Sequence, residues 1–370
     1  MKPQRIWHQC VKELAQFRRD RLTFALAFVL PLAVLIIFGF AIRLEMKNIP
    51  LAVQDFDNSP LSRSYIERLF ATNQFQAVPW SGQRDPDEVL DYALARAVVI
   101  IPPEFSRRIK DQQPSPIQVL VDGSDVNNAR VIRNSIRATT RFFLQDQDLQ
   151  PSTQKIVPRT RLWFNPGRKE SLFVVPGVYG VILAIFPPLL AAIAMVREKE
   201  QGTIVQVYAS TLSAAELILG KGLAYWLVAH SEALLLVVLG SGLFRLWFAG
   251  NPLPLLLGTS VFLATSVLYG LLIGVRSSKR IAAVQGVGFT GFLASFLFSG
   301  FIYPLSNIPF PVSLIAHIVP ARYFIVITRD AFVRGTGWLG VWLPLLLLLL
   351  LALLFFSLAW RGLYRMQFSD

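Results

Sequence analysis

The chain has 370 residues, of which 54% are hydrophobic and 16% charged, and its formal net charge is +13. The apolar residues are gathered into long runs, which excludes an ordinary soluble globular domain and makes the bilayer the expected solvent. Basic residues sit at the ends of those runs without any nucleic-acid motif, so anionic lipid, and no nucleic acid, is the expected partner of the positive charge.

In chain order, residues 5–18 read as a helix because Trp7, Val11, Leu14 and Phe17 recur at spacings of three and four. Residues 1–21 are therefore expected to form a cytoplasmic interfacial helix along the membrane surface, with a solvated basic tail as the alternative. Residues 22–42 are long enough to cross a hydrocarbon layer of about 30 Å and too long for a cleaved signal, so they read as an uncleaved transmembrane anchor.

Residues 43–171 form a polar insert. Strands are predicted at 49–54, 97–101 and 117–121, and helices at 59–71, 85–95 and 127–145, which together make a mixed α/β domain. The single cysteine, Cys10, lies outside this insert. The domain must then be held by its own core rather than by a disulfide.

Five further apolar runs follow at 172–196, 223–244, 253–275, 281–303 and 339–360, giving six predicted transmembrane helices. Lys and Arg in the short loops favour the side of the amino terminus, so both termini, including the tail at 361–370, are expected in the cytoplasm and the insert outside it. The segment 304–337 is apolar yet broken by Pro304, Pro309, Pro311 and Pro320, a pattern expected of a re-entrant element on the outer face. Gly270-x-x-x-Gly274 and Ser295-x-x-x-Ser299 are expected to allow close helix contact.

Two places carry candidate chemistry. In the inner connection after the second run, Glu198 and Glu200 flank basic residues, and Gly202-Thr203 permits a bend into a surface helix able to dock on a soluble partner. Glu232 falls near the middle of the third run, where a charge is expensive, so it is either a translocation-pathway residue or one member of an interhelical hydrogen bond. His8, His230 and His317 are far apart, and neither metal-ligand spacing nor a catalytic set is recognisable. Ala215 to Gly222 fails the phosphate-loop pattern, because Gly222 follows Lys221 where Ser or Thr is required and Ala215 replaces the leading glycine.

The connection reads Arg197-Glu198-Lys199-Glu200-Gln201-Gly202-Thr203, and later Glu216 and Gly220-Lys221. It resembles the coupling region of the type-2 ATP-binding-cassette exporter permeases, with Thr211 standing where that family usually has proline. Val53-Gln54-Asp55-Phe56-Asp57-Asn58-Ser59-Pro60 resembles the first strand of the family's large outer domain, and Trp163-Phe164-Asn165-Pro166 with Phe173-Val174-Val175-Pro176-Gly177 resembles its entry into the second span. Ser299-Gly300-Phe301-Ile302-Tyr303-Pro304, Ile308-Pro309 and Val319-Pro320-Ala321-Arg322-Tyr323-Phe324 resemble its outer segment.

The resemblance implies the permease subunit of an ATP-driven exporter, moving a drug-like or lipid amphiphile across the inner membrane. It implies coupling to a separate ATPase, which would hold ATP and magnesium, through Arg197, Glu198, Glu200, Gly202, Thr203, Glu216, Gly220 and Lys221 within 197–222. A second permease and a periplasmic adaptor are further implied partners, and Pro304, Pro309, Pro320, Arg322 and Tyr323 mark the outer segment. No cofactor and no enzymatic activity are expected of this chain itself. A membrane sensor that binds ligand through the insert is the alternative.

Overall fold

The computed structural model describes residues 1–41, 48–80, 85–92, 94–111, 113–124, 126–146, 164–165, 169–203, 212–302 and 304–366. The chain divides into two units, Met1–Ile42 with Leu162–Asp370, and Arg43–Arg161.

The larger unit is helical. Helix α1 (Pro3–Arg19) ends at Asp20, whose extended backbone breaks the helix. Asp20 then accepts hydrogen bonds from the Thr23 amide at 3.2 Å and hydroxyl at 2.6 Å. It thereby caps α2 (Arg21–Ala41), because a carboxylate satisfies amide donors that have no partner in a first turn.

The next run, expected as one helix, is two: α7 (Ser171–Leu183) and α8 (Phe186–Glu200). Pro187 and Pro188 supply no amide to the preceding turn, and a proline ring clashes with the carbonyl four residues earlier. The chain therefore turns at Ala184 and Ile185 and restarts with proline in the first turn of α8.

Helix α9 (Ala214–Phe244) opens on a reciprocal cap in which Ser213 and Glu216 bond each other's backbone amides. This cap corrects the expected loop boundary at 222, because Glu216, Gly220 and Lys221 belong to the helix. Helix α10 (Leu253–Arg276) lies against α8. A Cβ at Gly270 would stand 2.1 Å from the Pro188 carbonyl oxygen, and one at Gly274 would stand 2.8 Å from that of Ala192. The expected close contact is thus made, and only residues lacking a side chain permit it.

The fifth run is α11 (Arg280–Val287), a π-helical turn (Gly288–Leu293) and α12 (Ala294–Phe298). It stops short of residue 303 because Gly300 takes a left-handed conformation, φ 79°. Two 3-10 turns, Leu305–Asn307 and Val312–His317, lead to α13 (Pro320–Arg329) and a π turn (Asp330–Arg334). Asp330 accepts from the Gly337 amide at 3.0 Å, turning the chain into α14 (Trp338–Met366). Among the described residues six helical segments are long and apolar enough to cross a membrane: Arg21–Ala41, Ser171–Glu200, Ala214–Phe244, Leu253–Arg276, Arg280–Phe298 and Trp338–Tyr364.

The smaller unit is a mixed α/β fold. Its strands are β1 (Ile49–Asp55), β2 (Phe75–Ala77), β3 (Ala97–Ile101) and β4 (Gln118–Val121), in the order β2-β1-β3-β4. Strand β1 runs parallel to β2 and β3, with Leu51 opposite Ala97, whereas β4 is antiparallel, with Val121 opposite Ala97. Alternation divides the sheet's side chains between two faces. Leu51, Val99 and Ile101 meet Tyr65 and Leu69 of α3 (Pro60–Ala71) and Ile132, Ile136 and Phe143 of α6 (Val126–Asp146). Ala52 and Val98 meet Val89 of α4 (Pro86–Asp91) on the other face.

Two elements were not expected. Strand β2 has three residues, too few for a periodic signal, and α5 (Phe105–Lys110) follows Glu104 in a left-handed conformation, φ 67°. The helix expected over 85–95 ends at Asp91.

Candidate coupling site

Four consecutive residues at the end of α8 reach four different places. Successive residues of a helix point about 100° apart, so one turn can address neighbours on every side. Arg197 donates to Asp20 at 2.6 Å and to the Thr23 hydroxyl at 3.3 Å, gripping the α1–α2 junction. Glu198 accepts from Lys12 of α1 at 3.1 Å and pairs with Lys221 of α9 at 3.2 Å. Lys199 donates to the carbonyls of Gly274 and Ser277, each at 3.1 Å, and to that of Val275, capping the end of α10. Glu200 accepts from the Arg280 amide at 2.6 Å and pairs with its side chain at 3.4 Å, at the start of α11.

Lys221 stands at the centre. It is 0% exposed and pairs with Glu13 of α1, itself 1% exposed, while donating to the Ala194 carbonyl at 3.3 Å. Gln9 donates to Glu13 at 3.0 Å. Glu198 is 4% exposed, and its second oxygen, Oε2, is buried without a hydrogen-bond partner among the described residues. Burying such charges is costly unless they neutralise one another, and here two lysines meet two glutamates.

The same helix is held at its first turns. Glu216 accepts from the Lys2 amide at 2.7 Å and pairs with Arg5 at 3.7 Å. Gly220 allows the close approach, because a Cβ there would stand 2.6 Å from Cβ of Gln9. Helix α1 thus turns Gln9, Cys10, Glu13 and Phe17 inward, while Trp7 and Val11 of the expected apolar stripe are exposed.

Asp20 lies ahead of the first apolar helix. Burial opposes its ionisation, but the Thr23 hydrogen bonds and the Arg197 guanidinium outweigh it and hold the carboxyl below its ordinary range. Burial and the Glu13 carboxylate together push the Cys10 thiol above its ordinary range.

After α8, Gly202 is left-handed, φ 68°, with its amide bonded to the Lys199 carbonyl at 3.2 Å. The Thr203 hydroxyl donates to the Glu198 carbonyl at 3.3 Å. Residues 204–211, where a surface helix was expected and where Thr211 stands, are outside the described residues.

Glu232 is eleven residues beyond Lys221, close to three turns, and so shares its face of α9. It is 0% exposed, and neither carboxylate oxygen has a hydrogen-bond partner among the described residues. The interhelical hydrogen bond weighed from the sequence is therefore not made there.

In the proline-broken segment, Pro304 precedes the first 3-10 turn, Pro309 leads into the second, and Pro320 opens α13. Tyr323 donates to the His317 carbonyl at 2.8 Å, and the Arg322 guanidinium lies 5.7 Å from the Tyr323 ring centre. Arg329, not singled out from the sequence, ties the segment to its surroundings. It donates to the Gly300 and Phe301 carbonyls at 3.0 and 3.3 Å and lies over the Phe173 ring at 3.9 Å. Lys12, Glu13, Asp20 and Lys199 were also missed; their signal was charge on positions adjoining apolar helices, which sequence alone cannot pair.

Six apolar helical segments among the described residues, with the α/β unit inserted in sequence between the first and second, define a polytopic helical membrane protein. The chain belongs to the ABC-2 family of transporter proteins, which it matches over residues 21–361. It is 26% identical over 356 residues to the probable multidrug ABC transporter permease YbhS of Escherichia coli strain K12, covering 95% of this chain and 94% of that one. To the probable multidrug ABC transporter permease YbhR of the same strain it is 29% identical over 355 residues, 93% and 95% of the two chains. To its inner membrane transport permease YhhJ it is 24% identical over 344 residues, 88% and 90% of the two.

Proposed function

We propose that this chain is the permease subunit of an ATP-driven exporter in the inner membrane, working as a dimer with a second permease. Both termini and the connection after α8 face the cytoplasm, and the α/β unit lies outside it, open to a periplasmic adaptor. The segment 304–337 re-enters the membrane from the outer side.

The observation that carries this reading is the turn Arg197–Glu200. A separate ATPase docks on the connection that follows it and supplies ATP and magnesium, since this chain has no phosphate loop. Movement of that connection passes at once to the α1–α2 junction, α9, α10 and α11, because each is bonded to one of these four residues. The buried pairs make α1 travel with α8 and α9 as one body. Glu232, buried without a hydrogen-bond partner among the described residues, borders the route of a drug-like or lipid amphiphile.

Affinity purification of the full chain from its native membrane tests this. A stoichiometric ATP-binding-cassette ATPase is expected, with hydrolysis that rises on amphiphile addition. Repeated purification without such a subunit would overturn the proposal and favour a sensor.

A further inference from the structure

The α/β unit contains a groove of about 1110 Å³ that the coupling cluster does not use. It lies between α6 and the strand β4 with the segment leading into it. Ile117, Val119, Ile136 and Leu144 give it an apolar floor, and Arg133, Arg137 and Arg141 also line it.

The three arginines recur every four residues and so stand on one side of α6, neighbours about 5–6 Å apart at Cβ. Like charges at this spacing repel and weaken a helix, and a negative group beside them relieves that repulsion. Nothing described supplies it. Asp146 is the one acid on α6, and it is engaged by Arg68 at 3.4 Å, which also lies over the Phe142 ring at 4.8 Å. None of the three arginines has an ion-pair partner among the described residues. The Ser115 hydroxyl, lining the same groove, is buried without a hydrogen-bond partner among them.

We propose that this groove binds a single-chain anionic amphiphile. Its phosphate, sulfate or carboxylate head is bracketed by Arg133, Arg137 and Arg141, whose planar forks match such oxygens in pairs. Its tail lies on the apolar floor. A purely ionic ligand would leave that floor wet, and a purely apolar one would leave three cations unanswered. A space of this size suits a drug-sized molecule. Binding here is independent of transport and of which side of the membrane the unit occupies.

The test is hydrogen–deuterium exchange of the full chain in phosphatidylcholine nanodiscs, titrated with decyl phosphate, decanol, decyltrimethylammonium or a hexaglutamate peptide. Decyl phosphate is expected to protect residues 113–121 and 130–146 saturably, with decanol and decyltrimethylammonium giving no such protection. The triple variant R133A/R137A/R141A, whose substitutions are at exposed positions that carry none of the buried core of α6, should bind about tenfold or more weakly. Unchanged exchange at β3 in that variant confirms that the unit is folded. If it does not fold, R133K/R137K/R141K keeps the charge, loses the forks and should still weaken binding. Equal protection by decanol, unchanged affinity in the variants, or protection by hexaglutamate alone would overturn the proposal.

Discussion

Lys221 and Glu13 are separated by 208 residues of sequence and form a buried ion pair that holds the amino-terminal helix against the third long one. Removing one partner leaves a charge uncompensated in a site that water does not reach. Lys221→Met or Glu13→Gln is expected to lower stability by about 3–5 kcal/mol, whereas Lys221→Met with Glu13→Leu and Glu198→Leu recovers much of the loss. Thermal unfolding of the purified chain in detergent measures both.

Gly220 makes the same contact possible, so Gly220→Leu should push α1 away without touching a charge. Cys10, the chain's one cysteine, is 0% exposed and its thiol is held protonated by burial and by Glu13. Maleimide labelling of Cys10 should therefore be slow in the parent and clearly faster in the variant. Equal rates would show that α1 stays seated.

Asp20 has a depressed carboxyl pKa, so its hydrogen bonds from Thr23 and its ion pair with Arg197 together add stability that is complete above the ordinary aspartate value of 3.8 and fades as pH falls through the lower folded value. The stability gap between the parent and Asp20→Asn should stay constant from pH 7 to about 5 and shrink only in stronger acid. Unfolding curves across that range measure the gap.

Glu232 has no hydrogen-bond partner among the described residues. A buried polar group left unpaired costs about 1–3 kcal/mol, so Glu232→Met should raise the unfolding temperature. If the carboxyl serves the substrate route, the same variant loses transport while keeping ATP hydrolysis. Transport assays in reconstituted vesicles separate the two effects.

The six apolar runs were legible because crossing hydrocarbon demands about twenty uninterrupted apolar residues, a signal no soluble element imitates. Strand β3 was legible to the residue, bounded as it is by Arg96 and Pro102. Helix α1 was legible from the spacing of Trp7, Val11, Leu14 and Phe17. Its packed face was not: Gln9, Cys10 and Glu13 are buried while Trp7 and Val11 are exposed, because Glu13 meets Lys221, a pairing across the whole chain that local spacing does not encode. Glu216, Gly220 and Lys221 were read as loop because polar residues interrupt the apolar run there, yet a reciprocal cap at Ser213 starts the helix earlier. Arg197, Glu198 and Glu200 were recognisable as a group, Lys199 between them was not, and the four separate destinations depend on tertiary neighbours.

The turn at 197–200 also sets a phase requirement on the helix before it. Deleting one residue anywhere between Phe186 and Val196 would rotate the whole quartet by about 100° and draw it 1.5 Å along the axis. Every ligature would then face the wrong correspondent: glutamate where arginine had clasped Asp20, and glutamate where lysine had closed the end of α10. Length in this part of the chain is thus constrained more tightly than side-chain identity, and length variation among relatives should be tolerated beyond Gly202 but not before it.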